Sequence, residues 1–355
     1  IEPVLEQILQ QMRTFMDVLQ YPRISTLYIG GGTPNSIGDT VLESFLNELL
    51  KTVAVCSPYD LKEFTIEINP ECFDSKQLDI FSKHAVTRLS VGVQSFRDEF
   101  LTSLGRRADR KIIFKALESI KYAWKGQLSI DIMTALPGQT VDTARSDMEE
   151  AVQMHPDHLS VYFLSYEPNT HLAEQVRSGV LTPLSTEEEY RIWESIPGYL
   201  REHGYEQYEV SNFAAAGKKC LHNLHYWKMR PYLGCGPSAV STIPDSTTVL
   251  RIENPRDINA FLSGKAAGWN VSNFHIDPKS FLFEHFIMGF RLQEGIQKED
   301  IKEIFDIDID DTFKKLFTSW QRNGLLQDSV ESVTLTERGQ SIQNTLLIEL
   351  SEEID

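Results

Sequence analysis

Tyr28-Ile29-Gly30-Gly31-Gly32-Thr33-Pro34 ends an apolar run in three glycines, and that change is the strongest chemical signal in this 355-residue chain. Glycines without Cβ leave backbone N–H groups uncovered, so a polar ligand can approach the main chain closely. Thr33 adds a hydroxyl, and Pro34 fixes the backbone ahead of a helix predicted from near Asp39. A plain tight turn would need only one or two glycines. Polar residues also stand near the ends of later apolar runs. These are Glu67 in Thr65-Ile66-Glu67-Ile68, Gln94 in Gly92-Val93-Gln94-Ser95, Asp131 in Ile130-Asp131-Ile132, and Ser165 in Ser165-Tyr166-Glu167. Taken singly, each reads as a loop-anchoring hydrogen bond. A buried strand excludes Glu, Gln and Asp unless each finds a partner, so their recurrence beside a glycine triplet points to one shared polar ligand.

A second constellation lies within residues 205–240. Cys220, His222 and His225 fall within six residues, followed at once by Tyr226 and Trp227 and then by Tyr232 and Gly234-Cys235-Gly236. A thiol and imidazoles beside aromatic rings suit a metal, or a haem iron whose flat macrocycle the rings cover. Zinc would require a second ligand pair at short spacing, and none is present. Aromatic packing around a hydrogen-bonded His222 accounts for the spacing equally well. Cys56, at the end of an apolar helical pattern, and Cys72 read as buried or incidental thiols.

The elements that must position these groups alternate along the chain. An amphipathic helix opens it, with Leu5, Leu9, Met12 and Met16 at helical spacing. Strand patterns follow at 24–29, 64–68, 88–93, 128–133 and 158–164, with helical patterns at 39–55, 74–84, 109–124 and 140–153. This order predicts an α/β fold, a parallel sheet covered by helices, either open or rolled into a partial barrel. The strand ends then share one edge, where such folds place their ligands. From about residue 275 the character changes. Helical patterns at 281–291, 301–305 and 312–321 precede a hairpin through 333–335, which resembles a winged-helix module. Acidic residues over 299–311 and 328–331 turn that module away from DNA and toward a lid or docking role.

A net charge of −17 argues against a general nucleic-acid surface, which requires clustered Lys and Arg. With 41% hydrophobic residues the chain can fill a large core, yet no apolar run approaches the roughly 18 residues of a membrane span. Four scattered cysteines and the absence of a signal-peptide pattern fit a cytoplasmic protein. Oligomeric state has no sequence signature here.

In order, Tyr-Ile-Gly-Gly-Gly-Thr-Pro, Thr-Ile-Glu-Ile-Asn-Pro, Arg-Leu-Ser-Val-Gly-Val-Gln-Ser-Phe, Leu-Gly-Arg, Ile-Asp-Ile-Met-Thr-Ala-Leu-Pro-Gly-Gln-Thr and His-Leu-Ser-Val-Tyr resemble the radical S-adenosylmethionine family of oxygen-independent coproporphyrinogen III oxidases and their relatives. The resemblance runs from about residue 20 to beyond residue 330. It implies a partial (β/α)6 barrel, a linking region and a winged-helix-like domain, divided as 1–204, 205–274 and 275–355. It further implies that Gly31, Gly32 and Thr33 hold the methionine part of S-adenosylmethionine and that Glu67 meets a ribose hydroxyl. Gln94, Arg106 and Asp131 match further ligand contacts, Arg106 being suited to a carboxylate through its two-pronged guanidinium. Ser165 and Val240 match positions near the adenine. The family's [4Fe–4S] cluster is held by a Cys-x3-Cys-x2-Cys loop, which these 355 residues lack. The resemblance places the first strand and that loop upstream of Ile1.

His222-Asn223-x-x-Tyr226-Trp227 resembles the signature of the HemW branch, heme chaperones related to those oxidases. That resemblance implies haem on His222, with Cys220 as a second partner and Tyr226 and Trp227 alongside. The implied function is to bind haem and pass it to acceptor proteins. The alternative is the oxidase reaction itself, which decarboxylates coproporphyrinogen III to protoporphyrinogen IX. At Ser238-Ala239-Val240 the chain reads closer to the oxidases than to many HemW chains.

Overall fold

Strands joined by helices cannot turn back on one another as hairpins do and therefore pair in parallel. The computed structural model describes residues 1–20, 22–56, 61–168, 170–245, 248–264 and 271–354, and in it five successive strands obey this rule. After α1 (Glu2–Val18) come β1 (Thr26–Ile29), α2 (Asp39–Cys56), β2 (Glu63–Ile68), α3 (Gln77–Lys83) and β3 (Arg88–Gln94). The chain continues through α4 (Asp98–Ser103), α5 (Arg110–Ala123), β4 (Gln127–Thr134), α6 (Val141–Gln153) and β5 (His158–Phe163). Then α7 (His171–Arg177) and α8 (Thr186–Glu202) lead to two short strands, β6 (Glu206–Gln207) and β7 (Asn212–Ala214). The sheet order is β1-β2-β3-β4-β5-β7-β6, parallel through β5 and antiparallel where β7 joins β5 and β6. β6 and β7 escape sequence reading because two or three residues carry no period.

Each parallel strand has two unlike rows of side chains, as the period of two requires. Phe64, Ile66 and Ile68, then Leu89, Val91 and Val93, then Leu128, Ile130 and Ile132 are all buried. These rows supply the apolar layer together with helix residues Leu46, Leu117 and Met148, which are fully buried. The alternate row is polar: Glu63, Thr65 and Glu67, then Arg88 and Ser90, then Ser129 and Asp131, then His158 and Ser160. Side-chain caps start the helices where they do. The Asp109 carboxylate accepts the Ile112 N–H for α5, and Thr140 with Thr143 forms a reciprocal cap on α6.

Two units are distinguished: Arg23–Gln207 with Ser211–Cys220, and Ile1–Pro22 with Tyr208–Val210 and Leu221–Asp355. The first holds the sheet above. The second contains α1, α9 (Leu221–Trp227), and an antiparallel sheet of β8 (Val240–Asp245), β9 (Thr248–Glu253) and β10 (Ser272–Ile276), with α10 (Ile258–Ser263) between the last two. Residues 205–274, a linking region by sequence, thus contain a sheet. In β10 only Ile276 is buried, which left that strand without a clear apolar period. Then follow α11 (Pro278–Gly289), β11 (Ile296–Gln297), α12 (Lys298–Phe305), α13 (Ile309–Thr312), α14 (Lys314–Arg322), β12 (Leu326–Asp328), β13 (Ser332–Leu335), α15 (Glu337–Ser341) and α16 (Gln343–Ile354). The three strands pair as β11-β13-β12, so the hairpin read from the sequence near 333–335 is joined by a third short strand, β11. Phe286, Phe290, Phe313, Phe317 and Trp320 fill its core.

Candidate functional site

The glycine triplet follows β1 directly, and its first member is shaped by Glu67 on the neighbouring strand. A Cβ at Gly30 would lie 2.5 Å from the Glu67 carboxyl carbon and 2.5 and 2.7 Å from its oxygens, so only glycine admits that carboxylate. Glu67 accepts the Tyr28 hydroxyl at 2.8 Å and the Gly31 N–H at 3.1 Å. Burial, then the carboxylates of Asp131 and Glu67, push the Tyr28 hydroxyl far up, so it remains a proton donor. Gly31 turns through φ +79°, the left-handed region where glycine is unstrained. A Cβ at Gly31 or Gly32 would meet nothing within 4 Å, so the space beside this backbone is open. Thr33 precedes a single turn, Pro34–Ser36, and its carbonyl accepts the Ser36 hydroxyl.

Two strands away, β3 ends in an irregularity between Gly92 and Gln94, and Gln94 adopts φ +69°. A Cβ at Gly92 would stand 3.0 Å from the Gln94 amide nitrogen and 3.5 Å from Arg106 Nη2, which brings those two side chains together. Arg106 donates to the Gly92 carbonyl at 3.1 Å and lies 4.0 Å from Glu71. Glu71 was not singled out in the sequence. Although burial opposes its charge, the N–H groups of Arg107 and Ala108 and the Arg107 side chain hold its carboxyl below the ordinary range. Beneath, the Asp147 carboxylate accepts the Ser95 hydroxyl at 2.7 Å and the Phe96 N–H at 3.0 Å, which fixes the turn after Gln94.

Asp131 on β4 lies beside Gly92 on one strand and Ser160 on the other. The Ser90 hydroxyl is 3.0 Å from each of its oxygens, and Ser129 is 3.4 Å away. Burial, reinforced by the Glu67 carboxylate, pushes Asp131 up to about 6 against the hydroxyls of Ser160, Ser90 and Ser129, which favour its charge. Ser90, Ser129 and Ser160 were not singled out in the sequence, where Tyr28 entered only as the start of the glycine motif. Their signal was the alternation of small polar residues with apolar ones inside strands that otherwise read as buried throughout. Ser165, after β5, is exposed and donates to Glu167 at 3.0 Å.

Cys220 belongs to the opposite end of the same polar rows. Arg88 and Glu63, both buried, form an ion pair at 3.2 Å, and Arg88 also donates to the carbonyls of Lys218 and Lys219 at 3.1 Å. The Cys220 thiol, 3% exposed, donates to Glu63 at 3.2 Å. Next to them His158 is 2.8 Å from Ser129, and burial, with Arg88 nearby, lowers its basicity well below the usual imidazole range.

In the second unit, α9 carries the remaining candidates, and residues 222–227 are all half-buried. The His222 ring meets Tyr226 edge-on at 5.1 Å, and Tyr226 meets Tyr232 at 4.4 Å. Burial and the Tyr232 hydroxyl push Tyr226 up to about 12. Trp227 lies 5.3 Å from the Arg291 guanidinium, and its buried indole N–H has no hydrogen-bond partner among the described residues. The glycines at 234 and 236 are structural. A Cβ at Gly234 would strike the Val240 carbonyl at 2.2 Å, and Gly236 holds φ +115°. Gln11 and Asn254 knot this turn: Gln11 accepts the Gly236 N–H at 3.0 Å, and Asn254 donates to the Gly236 carbonyl at 2.8 Å. Val240 begins β8 opposite Glu253. Burial pushes the Cys235 thiol up to about 12, a poor state for a metal ligand. Cys72 is half-buried, and the side chain of Cys56 lies outside the described residues.

Among the described residues, no group of three or more His, Cys, Asp or Glu side chains could hold a metal ion. No described helix is long and apolar enough to cross a membrane. Residues 2–151 match the radical SAM superfamily, and residues 276–342 match the HemN C-terminal domain. The heme chaperone HemW of Bacillus subtilis (strain 168) is 30% identical over 346 residues, covering 97% of this chain and 90% of that protein. HemW of Escherichia coli (strain K12) is 27% identical over 347 residues, covering 97% and 88%. In fold, the chain is similar to the coproporphyrinogen III oxidase HemN of Escherichia coli, described as a radical SAM enzyme. The TM-score is 0.77 at 20% identity, over 99% of this chain and 82% of that one.

Proposed function

Because this chain belongs to the family of HemW heme chaperones, we propose that it binds haem and hands it to an acceptor protein. The observation that carries this reading is the 30% identity with a heme chaperone over nine-tenths of that protein's length. Within the chain, α9 suits the ligand. Its rings are half-exposed, which leaves apolar surface for a flat macrocycle, and His222 offers imidazole nitrogen to the iron. Tyr226 packs edge-on against His222, and Trp227 is assigned alongside on the same helix. Cys220 is less suited, since its thiol is buried against Glu63.

The open backbone at Gly31 and Gly32 fits S-adenosylmethionine. Its neighbours are acceptors and donors spread over three strands, which suits a ligand with a carboxylate, an amine and ribose hydroxyls. In this reading the sheet is the wall of a partial barrel, Gly31, Gly32 and Thr33 take the methionine part, and Glu67 takes the ribose. Gln94, Arg106 and Asp131 complete the edge, with Ser165 assigned to the adenine. When bound beside a reduced [4Fe–4S] cluster, this cofactor supplies one-electron cleavage chemistry. Among the described residues no metal-holding group supplies that cluster, so the roles assigned here stop at binding and orienting the cofactor.

Haem titration followed by absorbance tests the first part. His222→Ala is expected to weaken haem binding by at least about tenfold, since even outer-sphere partners of a metal ligand are worth that much. Unchanged affinity would remove His222 from the site. Carbon dioxide release from coproporphyrinogen by the cluster-loaded protein would mark an oxidase instead.

The second part has a pH signature. With its folded-state pKa raised to about 6, Asp131 is neutral below that value and charged above it. A sulfonium cation favours the charged form, so S-adenosylmethionine affinity rises as pH increases from about 5 to about 7. Asp131→Asn removes that rise. Calorimetric titration across this range checks it, and an identical profile in both proteins would exclude Asp131 from the site.

A further inference from the structure

We propose that the outward face of α14 docks an acidic segment of a partner protein. One row of this helix, Phe313, Phe317 and Trp320, is buried in the core of its module. The opposite side presents Lys314, Lys315, Ser319 and Arg322, all exposed, with Thr318 half-buried between them. Together with Asn323 they line one open groove of about 500 Å³. Lys314 and Lys315 stand four residues before Thr318 and Ser319, and Arg322 stands four after Thr318, so the cations flank the hydroxyls in rows along the helix.

Several cations of the same unit are instead held by carboxylates. Lys298 is taken by Asp310 at 2.7 Å and Asp328 at 2.6 Å, Arg251 by Glu284 at 2.9 Å, and Arg230 by Asp300 at 3.5 Å. Among the described residues, Lys314, Lys315 and Arg322 make no ion pair, and neither does the nearby Asp311. In a chain with 51 acidic and 34 basic side chains, carboxylates are plentiful enough to pair every cation. A face where three stay unpaired is complementary to carboxylates from outside. Ammonium and guanidinium groups bind them, while Thr318, Ser319 and Asn323 can bond to the backbone between.

Nucleic acid fits this surface less well despite the winged-helix order of the strands. The wing turn between β12 and β13 carries Asp328 and Glu331, with Val330 95% exposed at its tip. Carboxylates and an exposed apolar tip on the wing are a poor match for backbone phosphates. A peptide strand is narrow enough to follow the helix alone. The inference is independent of the haem reading, although an acceptor protein is a natural source of the segment.

Fluorescence anisotropy with the full chain tests it, using a labelled glutamate-rich peptide and, in parallel, a labelled DNA duplex. The peptide is expected to bind more tightly than the duplex. The triple variant Lys314→Glu, Lys315→Glu, Arg322→Glu should weaken the peptide by about tenfold, since each exposed charge contributes a factor of about two or more. A control reversal on α5, Lys111→Glu with Lys115→Glu, should leave it unchanged. Matching thermal melts exclude misfolding. No peptide binding, equal loss in both variants, or tighter binding of the duplex would each overturn the proposal.

Discussion

Glu63→Ala is expected to destabilise the chain by about 3–5 kcal/mol, the range for removing one partner of a buried ion pair. Arg88 and Glu63 are 2% and 5% exposed, so neither charge is screened by water. Without Glu63, Arg88 keeps only the carbonyls of Lys218 and Lys219, and its Nε and Nη1 already lack partners. The Cys220 thiol loses the Glu63 carboxylate at the same stroke. The penalty comes from the stranded guanidinium rather than from the worth of the pair. Glu63→Leu combined with Arg88→Met should therefore recover most of the loss. Urea denaturation of the parent and the two variants measures this, and a Glu63→Ala protein as stable as the parent would mean that the pair is hydrated.

Glycine substitutions in the triplet should separate folding from ligand binding. Gly30→Ala places a methyl 2.5 Å from the Glu67 carboxylate. Glu67 must swing away, giving up the Tyr28 hydroxyl and the Gly31 N–H. Overpacking of this kind costs about 1–3 kcal/mol of stability. Losing hydrogen bonds to a charged group weakens S-adenosylmethionine binding by about tenfold or more. Gly32→Ala behaves differently. Its Cβ meets no protein atom within 4 Å, so stability stays within about 0.5 kcal/mol of the parent. The methyl instead enters the space assigned to the ligand, and affinity should fall comparably. Melting curves and calorimetric titrations of both variants are the measurement. A Gly32→Ala protein that binds the cofactor normally would move the site elsewhere.

Much of the sheet edge was legible because parallel strands leave strong traces. Residues 24–29, 64–68, 88–93, 128–133 and 158–164 read as strands from β-forming apolar runs, and β1 to β5 lie within about two residues of those limits. Glu67 and Asp131 stood out because an ionisable side chain inside an apolar run must be met by a polar partner or a ligand. The small residues between them did not. Ser90, Ser129 and Ser160 are ordinary in any strand, and only the register of β3, β4 and β5 brings their hydroxyls to Asp131. Glu71 was hidden for another reason: its partners at 106–108 lie about 36 residues away in sequence.

Local chemistry in the sequence therefore determined the βα order, the hairpin near the carboxyl end, the glycine triplet and the family resemblance, since each depends on neighbours within a few residues. Long-range contacts decided the rest. Cys220 and His222 are two residues apart, and no local rule distinguishes them as partners for one iron. Folding gives the Cys220 thiol to Glu63, 157 residues away, and leaves His222 on a half-buried helix against Tyr226. The glycines divide in the same way. Sequence marks Gly30, Gly31 and Gly32 alike, but the strand beside β1 fills the space at Gly30 and leaves it open at Gly31 and Gly32. A residue's own type limits the chemistry it can perform, while the atoms packed against it decide whether that chemistry is spent inside the fold or remains available to a ligand.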